Sequence, residues 1–424
     1  MSKLAYLKKG SILAMIHTQF FSALGDTGFR NIVALIIASP ALVDPSSSVK
    51  GLAIAQIAFM LPYVILAPFV GNLSDRFPKK FILSFASGSR ALILLCVLLW
   101  VIPSQSSILI LYLTIFLTGV MAATYSPAKY GILPELTPKE GLVLINGAVE
   151  SGTLLAILLG TIGSGILADW AGLWNRAMNP PVLSVSGFHT CLIALIAVFG
   201  ASALFALLLP KKPMYAAKES HVSLGIHDYL VGLKEVFTYA PLRKAVLGVA
   251  LFWTIAAGLN VLFFPFGQKY LHLSSDTAKT SLYFALSIGI IFGSSTVGFL
   301  PGSDRLACVR WSAVGFSFSL FAFAFCRNLY LAYGILVISG LFAGIYLIPL
   351  NAAMQRHSKR DMTSRVIATS NLLNNITMIL ISALFFVLSN IENPHIIIIL
   401  ILLCGVFMIL LGGIPKWKEE SLFE

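Results

Sequence analysis

Residues 396–411 read Ile-Ile-Ile-Ile-Leu-Ile-Leu-Leu-Cys-Gly-Val-Phe-Met-Ile-Leu-Leu, an apolar run without one charge. A membrane barrel strand alternates apolar and polar residues over about ten positions. This run does not alternate. It suits a helix crossing hydrocarbon, where each backbone N–H and C=O is satisfied within its own segment. Working outward, comparable spans lie at roughly 13–38, 51–72, 80–102, 106–127, 142–168 and 188–209, and again at 244–268, 281–299, 310–326, 329–355, 364–388 and 394–415.

Composition agrees: of 424 residues 58% are apolar and only 11% charged, with a mean hydropathy of +0.90. A soluble chain carries about a quarter charged residues. A soluble multidomain enzyme, a disordered chain and a disulfide-stapled scaffold are therefore excluded. The expected architecture is an all-α membrane protein of twelve transmembrane helices. It divides into a six-helix half over 1–209, a linker over 210–243 and a second six-helix half over 244–424. The linker carries Lys211, Lys212, Lys218, Lys234 and Arg243, with no run long enough to cross and room for one surface helix. Lys3, Lys8 and Lys9 before the first span, and Ser39-Pro40-Ala41 after it, resemble a secretory signal. The apolar stretch is too long for one, so a retained first helix is expected.

The net charge is +12, and the Lys and Arg residues gather in every other loop, starting with the N-terminus. The positive-inside rule then predicts that both termini and the linker face the cytoplasm. A basic face beside anionic lipid accounts for the charge without a nucleic-acid partner. The five cysteines (Cys96, Cys191, Cys308, Cys326 and Cys404) have no pairing pattern and read as packing residues. The seven histidines show no metal spacing, so neither metal nor cofactor is expected.

Charges inside spans point to function, because one at mid-membrane costs about 2.5–3.5 kcal/mol on insertion scales. Asp26 and Arg30 sit in the first span, four residues apart on one helix face, with Asn31 beside them. Either they neutralise one another or they meet a polar headgroup or an ion. Gly25 and Gly28 would let the helix bend or a ligand approach. Arg90 in the third span has no acid on its own helix and needs a partner, Asp75 or an anionic ligand. Tyr125-Ser126-Pro127-Ala128-Lys129-Tyr130-Gly131 closes the fourth span, where the prolines are expected to break the helix. Lys129 there is a headgroup contact or an ordinary basic anchor. Glu150 in the fifth span is a second intramembrane acid, paired across helices or facing a cavity. Asn146 and Glu150 are spaced as Asn371 and Asn375 are in the eleventh span, each pair after a proline-marked helix end at Pro127 or Pro349. This suggests an internal repeat of two related halves. Gly160 with Gly163, and Gly289 with Gly293, read as close-packing surfaces.

The loop Gly71-Asn72-Leu73-Ser74-Asp75-Arg76-Phe77-Pro78-Lys79-Lys80 resembles the signature between helices two and three of the major facilitator superfamily, with Pro78 where that family usually has glycine. The resemblance implies that Gly71, Asp75 and Arg76 form a conformational latch; a solvated positive-inside turn is the other reading. The run from Tyr125 to Asp169, with Pro-Ala-Lys-Tyr-Gly-Ile-Leu at its core, resembles the bacterial lysophospholipid transporter family of that superfamily. So do Gln19 to Asp26, Leu251-Phe252-Trp253, Pro349-Leu350-Asn351-Ala352 with Gln355, and Arg365-Val366-Ile367-Ala368 with Asn371 and Asn374. Phe29-Arg30-Asn31 is similar to the version fused to an acyltransferase and acyl carrier protein synthetase. The likeness spans essentially the whole chain. It departs in helix seven, where Asn260 stands in place of an arginine that some members carry, so an ion pair from Asp26 to helix seven is not inherited.

The resemblance implies movement of lysophosphatidylethanolamine and lysophosphatidylglycerol from the outer to the inner leaflet of the bacterial inner membrane, for reacylation by a separate acyltransferase or acyl-ACP synthetase. The mechanism it implies is alternating access of the two halves. Few interior charges within apolar walls suit an amphiphile better than a sugar. Asp26 is the expected ammonium contact, with Arg30, Arg90 or Lys129 meeting the phosphate. Asp26 and Glu150 also fit a proton or cation site. A proton-coupled exporter of amphipathic drugs is the alternative transporter. An acyltransferase is disfavoured, because no histidine is followed five positions later by aspartate, and a GxSxG motif and a P-loop are both missing.

Overall fold

The computed structural model describes residues 7, 9–37, 45–100, 107–175, 182–210, 230, 233–234, 236–273, 276–300, 306–359, 362–389 and 395–412. These residues are almost entirely helical. The first helices are α1 (Gly10–Ile37), α2 (Pro45–Ile65), α3 (Ala67–Arg76), α4 (Lys79–Trp100), α5 (Ser107–Gly131), α6 (Leu142–Trp170) and α7 (Val185–Leu207). Then come α8 (Ala240–Tyr270), α9 (Asp276–Thr296), α10 (Leu306–Ala324), α11 (Leu329–His357), α12 (Thr363–Ser389) and α13 (Ile396–Phe407), the last continuing as a π turn, Met408–Gly412. One two-residue strand pair, Trp174–Asn175 with Val182–Leu183, joins α6 to α7. Ser184 caps α7 by accepting from the Gly187 N–H, and Asn328 caps α11 by accepting from the Leu331 N–H.

Among the described residues, nine helices are long and apolar enough to cross a membrane, and ten if the bent pair α2–α3 is one span. This makes the chain a multi-pass membrane protein. The two further expected crossings are present as helices: α12 of 27 residues, whose first half is rich in polar side chains, and the shorter α13.

Three expectations about spans are corrected. The span expected at 51–72 is bent by 59° between α2 and α3. Pro62 and Pro68 flank the break at Leu66; Pro68 offers no N–H to the carbonyl four residues back and its ring crowds that carbonyl. Conversely, Pro127 and Pro349 do not end their helices, since α5 continues to Gly131 and α11 to His357. A proline inside a membrane helix is tolerated when neighbours cover the freed backbone groups, and Ala128 and Pro349 are fully buried or nearly so. Most of the linker's basic residues fall outside the described residues.

The chain packs as two units. The first comprises residues 8–132 and 155–226, the second residues 1–7, 133–154 and 227–424. In the first, α1 packs on α7, α4 on α5 and α7, and α2 on α5. In the second, α8 packs on α11, α12 and α13, α10 on α11 and α13, and α9 on α11. The pairing order repeats: α2 with α5 answers to α9 with α11, and α4 with α7 to α10 with α13. The core of the first unit is built on Phe29, Phe59, Leu94, Phe188 and Phe199, that of the second on Phe263, Phe266, Phe316, Phe323 and Tyr346. The tightest seam is α9 against α11, where a Cβ on Gly289, Gly293 or Gly340 would collide with backbone of the facing helix. Gly289 and Gly293 thus pack as expected, as does Gly160 against Leu24 and Thr27 of α1, whereas Gly163 has open space before it.

Candidate functional site

Arg90 in α4 is fully buried, and a charge so placed requires an opposite charge and hydrogen bonds. α1 supplies both on one face. Asp26 and Ser22 are four residues apart, and the Arg90 Nη1 donates to Asp26 Oδ2 at 2.8 Å and to Ser22 Oγ at 2.9 Å. The rings of Tyr125 and Phe199 lie 5.1 and 5.4 Å from the guanidinium carbon, within cation–π range. Phe199 also fills the space that Gly25 leaves open on α1, so this glycine admits the α7 ring rather than a bend in α1.

The charge partners thus differ from those suggested by spacing along one helix. The Asp26 carboxylate turns to Arg90 on α4. Arg30 instead donates its Nε to the Asp26 backbone carbonyl at 3.3 Å and lies over the Phe59 ring at 4.6 Å. Asn31 is half-buried beside it. Ser22 and Phe199 went unnoticed in the sequence; the signal for Ser22 was its position one turn before Asp26.

The cluster is not saturated. Arg90 Nε and Nη2, and Asp26 Oδ1, are buried without hydrogen-bond partners. An arginine has five N–H donors in a planar fork suited to phosphate oxygens, so this guanidinium keeps donors for an anion while Asp26 holds it in place. Elsewhere in the first unit, Lys129 closes α5, buried, with its Nζ over the Tyr130 ring at 4.3 Å. There its charge also suits the helix C-terminus. Gly71, Asp75 and Arg76 occupy the last turns of α3, with Gly71 and Asp75 buried. Pro78 falls in the short break before α4, where its missing N–H interrupts no helix.

The second unit holds the other group. Asn146 and Gln355 form a reciprocal amide pair, Asn146 Nδ2 to Gln355 Oε1 at 2.7 Å and Gln355 Nε2 to Asn146 Oδ1 at 3.0 Å. Nearby, the Ser295 hydroxyl donates to Ser151 Oγ at 2.8 Å, and Ser151 donates to the Ile291 carbonyl at 3.1 Å. These bonds fasten the start of α6 to α9 and α11. On α12, Asn375 donates to the Asn371 carbonyl at 2.8 Å, and Asn374 is buried with its Oδ1 lacking a partner. Asn260 lies on α8, but its side chain falls outside the described residues.

One turn beyond Asn146, Glu150 lines a cavity of about 180 Å³ with Trp253, Phe263, Tyr283, Ser287 and Leu347 among its walls. Among the described lining residues Glu150 is the one carboxylate, there is no Lys, Arg or His, and the rest is mostly hydrocarbon and aromatic. Trp253, Tyr283 and Ser287 were not singled out as site residues from sequence, although Trp253 lies within a quoted motif.

Residues 16–382 match the sequence profile of the Major Facilitator Superfamily. Lysophospholipid transporter LplT of Klebsiella pneumoniae is 30% identical over 389 residues, covering 90% of each chain. LplT of Photorhabdus laumondii is 30% identical over 384 residues, covering 90% of this chain and 89% of its own. The chain is an LplT-like transporter of the Major Facilitator Superfamily. Solved structures of the superfamily share its fold. The human organic anion transporter MFSD10 superposes with a TM-score of 0.72 at 12% identity, covering 95% of this chain and 98% of its own. The E. coli fucose:proton symporter FucP gives 0.72 at 12%, covering 96% and 98%. At such identity the likeness speaks for the fold alone.

Proposed function

We propose that this superfamily member carries lysophospholipids, among them lysophosphatidylethanolamine and lysophosphatidylglycerol, from the outer to the inner leaflet of a bacterial inner membrane. The two halves alternate access, both termini face the cytoplasm, and a separate acyltransferase reacylates the product. The LplT relatives supply the cargo class. What supports it in this chain is the buried Arg90, with two guanidinium nitrogens unmet and aromatic rings around it. Such a site suits one phosphate on an otherwise apolar molecule. Asp26 orients Arg90, Lys129 is a second cation for the headgroup, and Arg30 with Asn31, one turn further along α1, offers a third polar contact. Gly71, Asp75 and Arg76 act as the latch between conformations. Asn146, Gln355, Asn371, Asn374 and Asn375, all in the second unit, hydrogen-bond glycerol and phosphate oxygens or gate their passage.

The test is translocation of labelled lysophosphatidylethanolamine in proteoliposomes, run beside a panel of soluble amphipathic drugs. Lipid movement is expected. Drug movement without lipid movement would overturn the proposal and favour an exporter. If Asp26→Asn and Lys129→Ala both leave lysolipid movement unchanged, the headgroup assignment fails.

A further inference from the structure

We propose that Tyr63 on α2 is a further phosphate contact: its hydroxyl donates to the lipid phosphodiester that Arg90 holds along the Nε–Nη2 edge of its guanidinium. This deepens the lysophospholipid reading above and rests on it. Every residue involved belongs to the first unit.

The free edge of Arg90 comes first. Its Nη1 is engaged with Asp26 Oδ2 at 2.8 Å and Ser22 Oγ at 2.9 Å, whereas Nε and Nη2 are buried without partners. Those two nitrogens lie on the same edge of the planar fork, so their N–H groups run parallel and match two oxygens of one phosphate. Charge agrees: Arg90 and Arg30 with Asp26 leave one positive charge, the complement of one phosphodiester. Each phosphate oxygen keeps lone pairs beyond the one that a guanidinium N–H takes, and in a buried site those need further donors. Tyr63 is placed to supply one. It lies where the charges of Asp26, Arg90 and Arg30 are all felt. It follows Phe59 by one turn, and the two rings pack with centroids 6.1 Å apart, while the Phe59 ring carries the Arg30 guanidinium at 4.6 Å. This turn of α2 is seated on α5: a Cβ on Gly119 would come within 2.6 Å of the Phe59 carbonyl oxygen, so only a glycine lets the backbones approach so closely. A neutral hydroxyl suits the position better than a third cation would, because it adds a donor without drawing Asp26 away from Arg90.

Lysophosphatidylethanolamine and lysophosphatidylglycerol share the phosphodiester and differ beyond it, so losing the Tyr63 hydroxyl should weaken both alike. The experiment reconstitutes wild type, Tyr63→Phe and Tyr63→Leu, and measures movement of each lipid against its concentration. Both variants lack the hydroxyl, and Tyr63→Phe keeps the ring beside Phe59. In Tyr63→Phe the half-saturating concentration is expected to rise about tenfold for both lipids, equivalent to about 1.4 kcal/mol. The maximal rate should stay within about twofold of wild type, since a contact made equally before and during movement is read in KM alone. The inference is overturned if Tyr63→Phe keeps both half-saturating concentrations within about twofold of wild type, or if it shifts one lipid only, which would put the contact beyond the phosphate. Should Tyr63→Phe fail to fold, Tyr63→Leu is judged by the same half-saturating concentrations. A wild-type protein that moves neither lipid refutes the transport reading itself, a different result from wild-type movement that Tyr63→Phe leaves unchanged.

Discussion

Arg90→Met is the most informative single change, because it keeps the bulk of the side chain and removes its charge. The guanidinium is 0% exposed and Asp26 is 17% exposed, with 2.8 Å between Nη1 and Oδ2. Removing one member of a buried ion pair destabilises by about 3–5 kcal/mol, chiefly because the other charge stays behind unpaired. The residual exposure of Asp26 lets its carboxylate draw some water, which favours the lower end. The lost Ser22 bond adds about 1 kcal/mol. The expected loss is therefore about 3–4 kcal/mol in SDS-induced unfolding followed by tryptophan fluorescence. Asp26→Asn/Arg90→Met removes both charges and should lie within about 1 kcal/mol of wild type, since replacing a whole buried pair is often neutral. Transport should not recover in this double variant, because the donor to the phosphate is gone: lysolipid movement should stay more than about tenfold down, equivalent to about 1.4 kcal/mol. A single variant within about 1 kcal/mol of wild type would refute the buried pair as a stability element. A stable double variant transporting at the wild-type rate would refute phosphate binding at Arg90.

The same unfolding measurement checks three further sites. Arg30→Gln should cost under about 1 kcal/mol, because Arg30 makes one long backbone bond and one partly exposed ring contact; a loss equal to that of Arg90→Met would mean Arg30 shares the Asp26 charge. Gly289→Val forces side-chain atoms into the Val337 carbonyl region of α11 and should cost about 1–3 kcal/mol or more. Unchanged stability there would show that α9 and α11 do not meet at Gly289. Asn146→Leu leaves the Gln355 amide buried and unpaired, a loss of about 1–3 kcal/mol, whereas Asn146→Leu/Gln355→Leu should regain most of it; equal losses in single and double variants would exclude a coupled amide pair.

Which features were legible follows from what stands out against a 58% apolar chain. The crossings were legible because hydrocarbon demands long apolar runs, and the interior polar residues because each is an expensive exception. Thus Asp26, Arg90, Asn146, Glu150 and Gln355 could be picked out singly. Their partners could not. Four-residue spacing ties Asp26 to Arg30, but pairing Asp26 with Arg90 depends on how far α1 and α4 slide and turn against each other, which no local pattern states. Backbone exceptions were half legible. Prolines announce freed carbonyls, yet whether the helix bends, as between Pro62 and Pro68, or runs on, as through Pro127 and Pro349, depends on what packs against those carbonyls. The cavity at Glu150 was least visible for the opposite reason to the charges. Trp253 and Tyr283 are ordinary residues for a membrane helix, so they carry no contrast in sequence, and only their convergence from α8 and α9 on one carboxylate turns them into a site. A chain like this one reveals its charges in sequence but its aromatic surfaces only once folded.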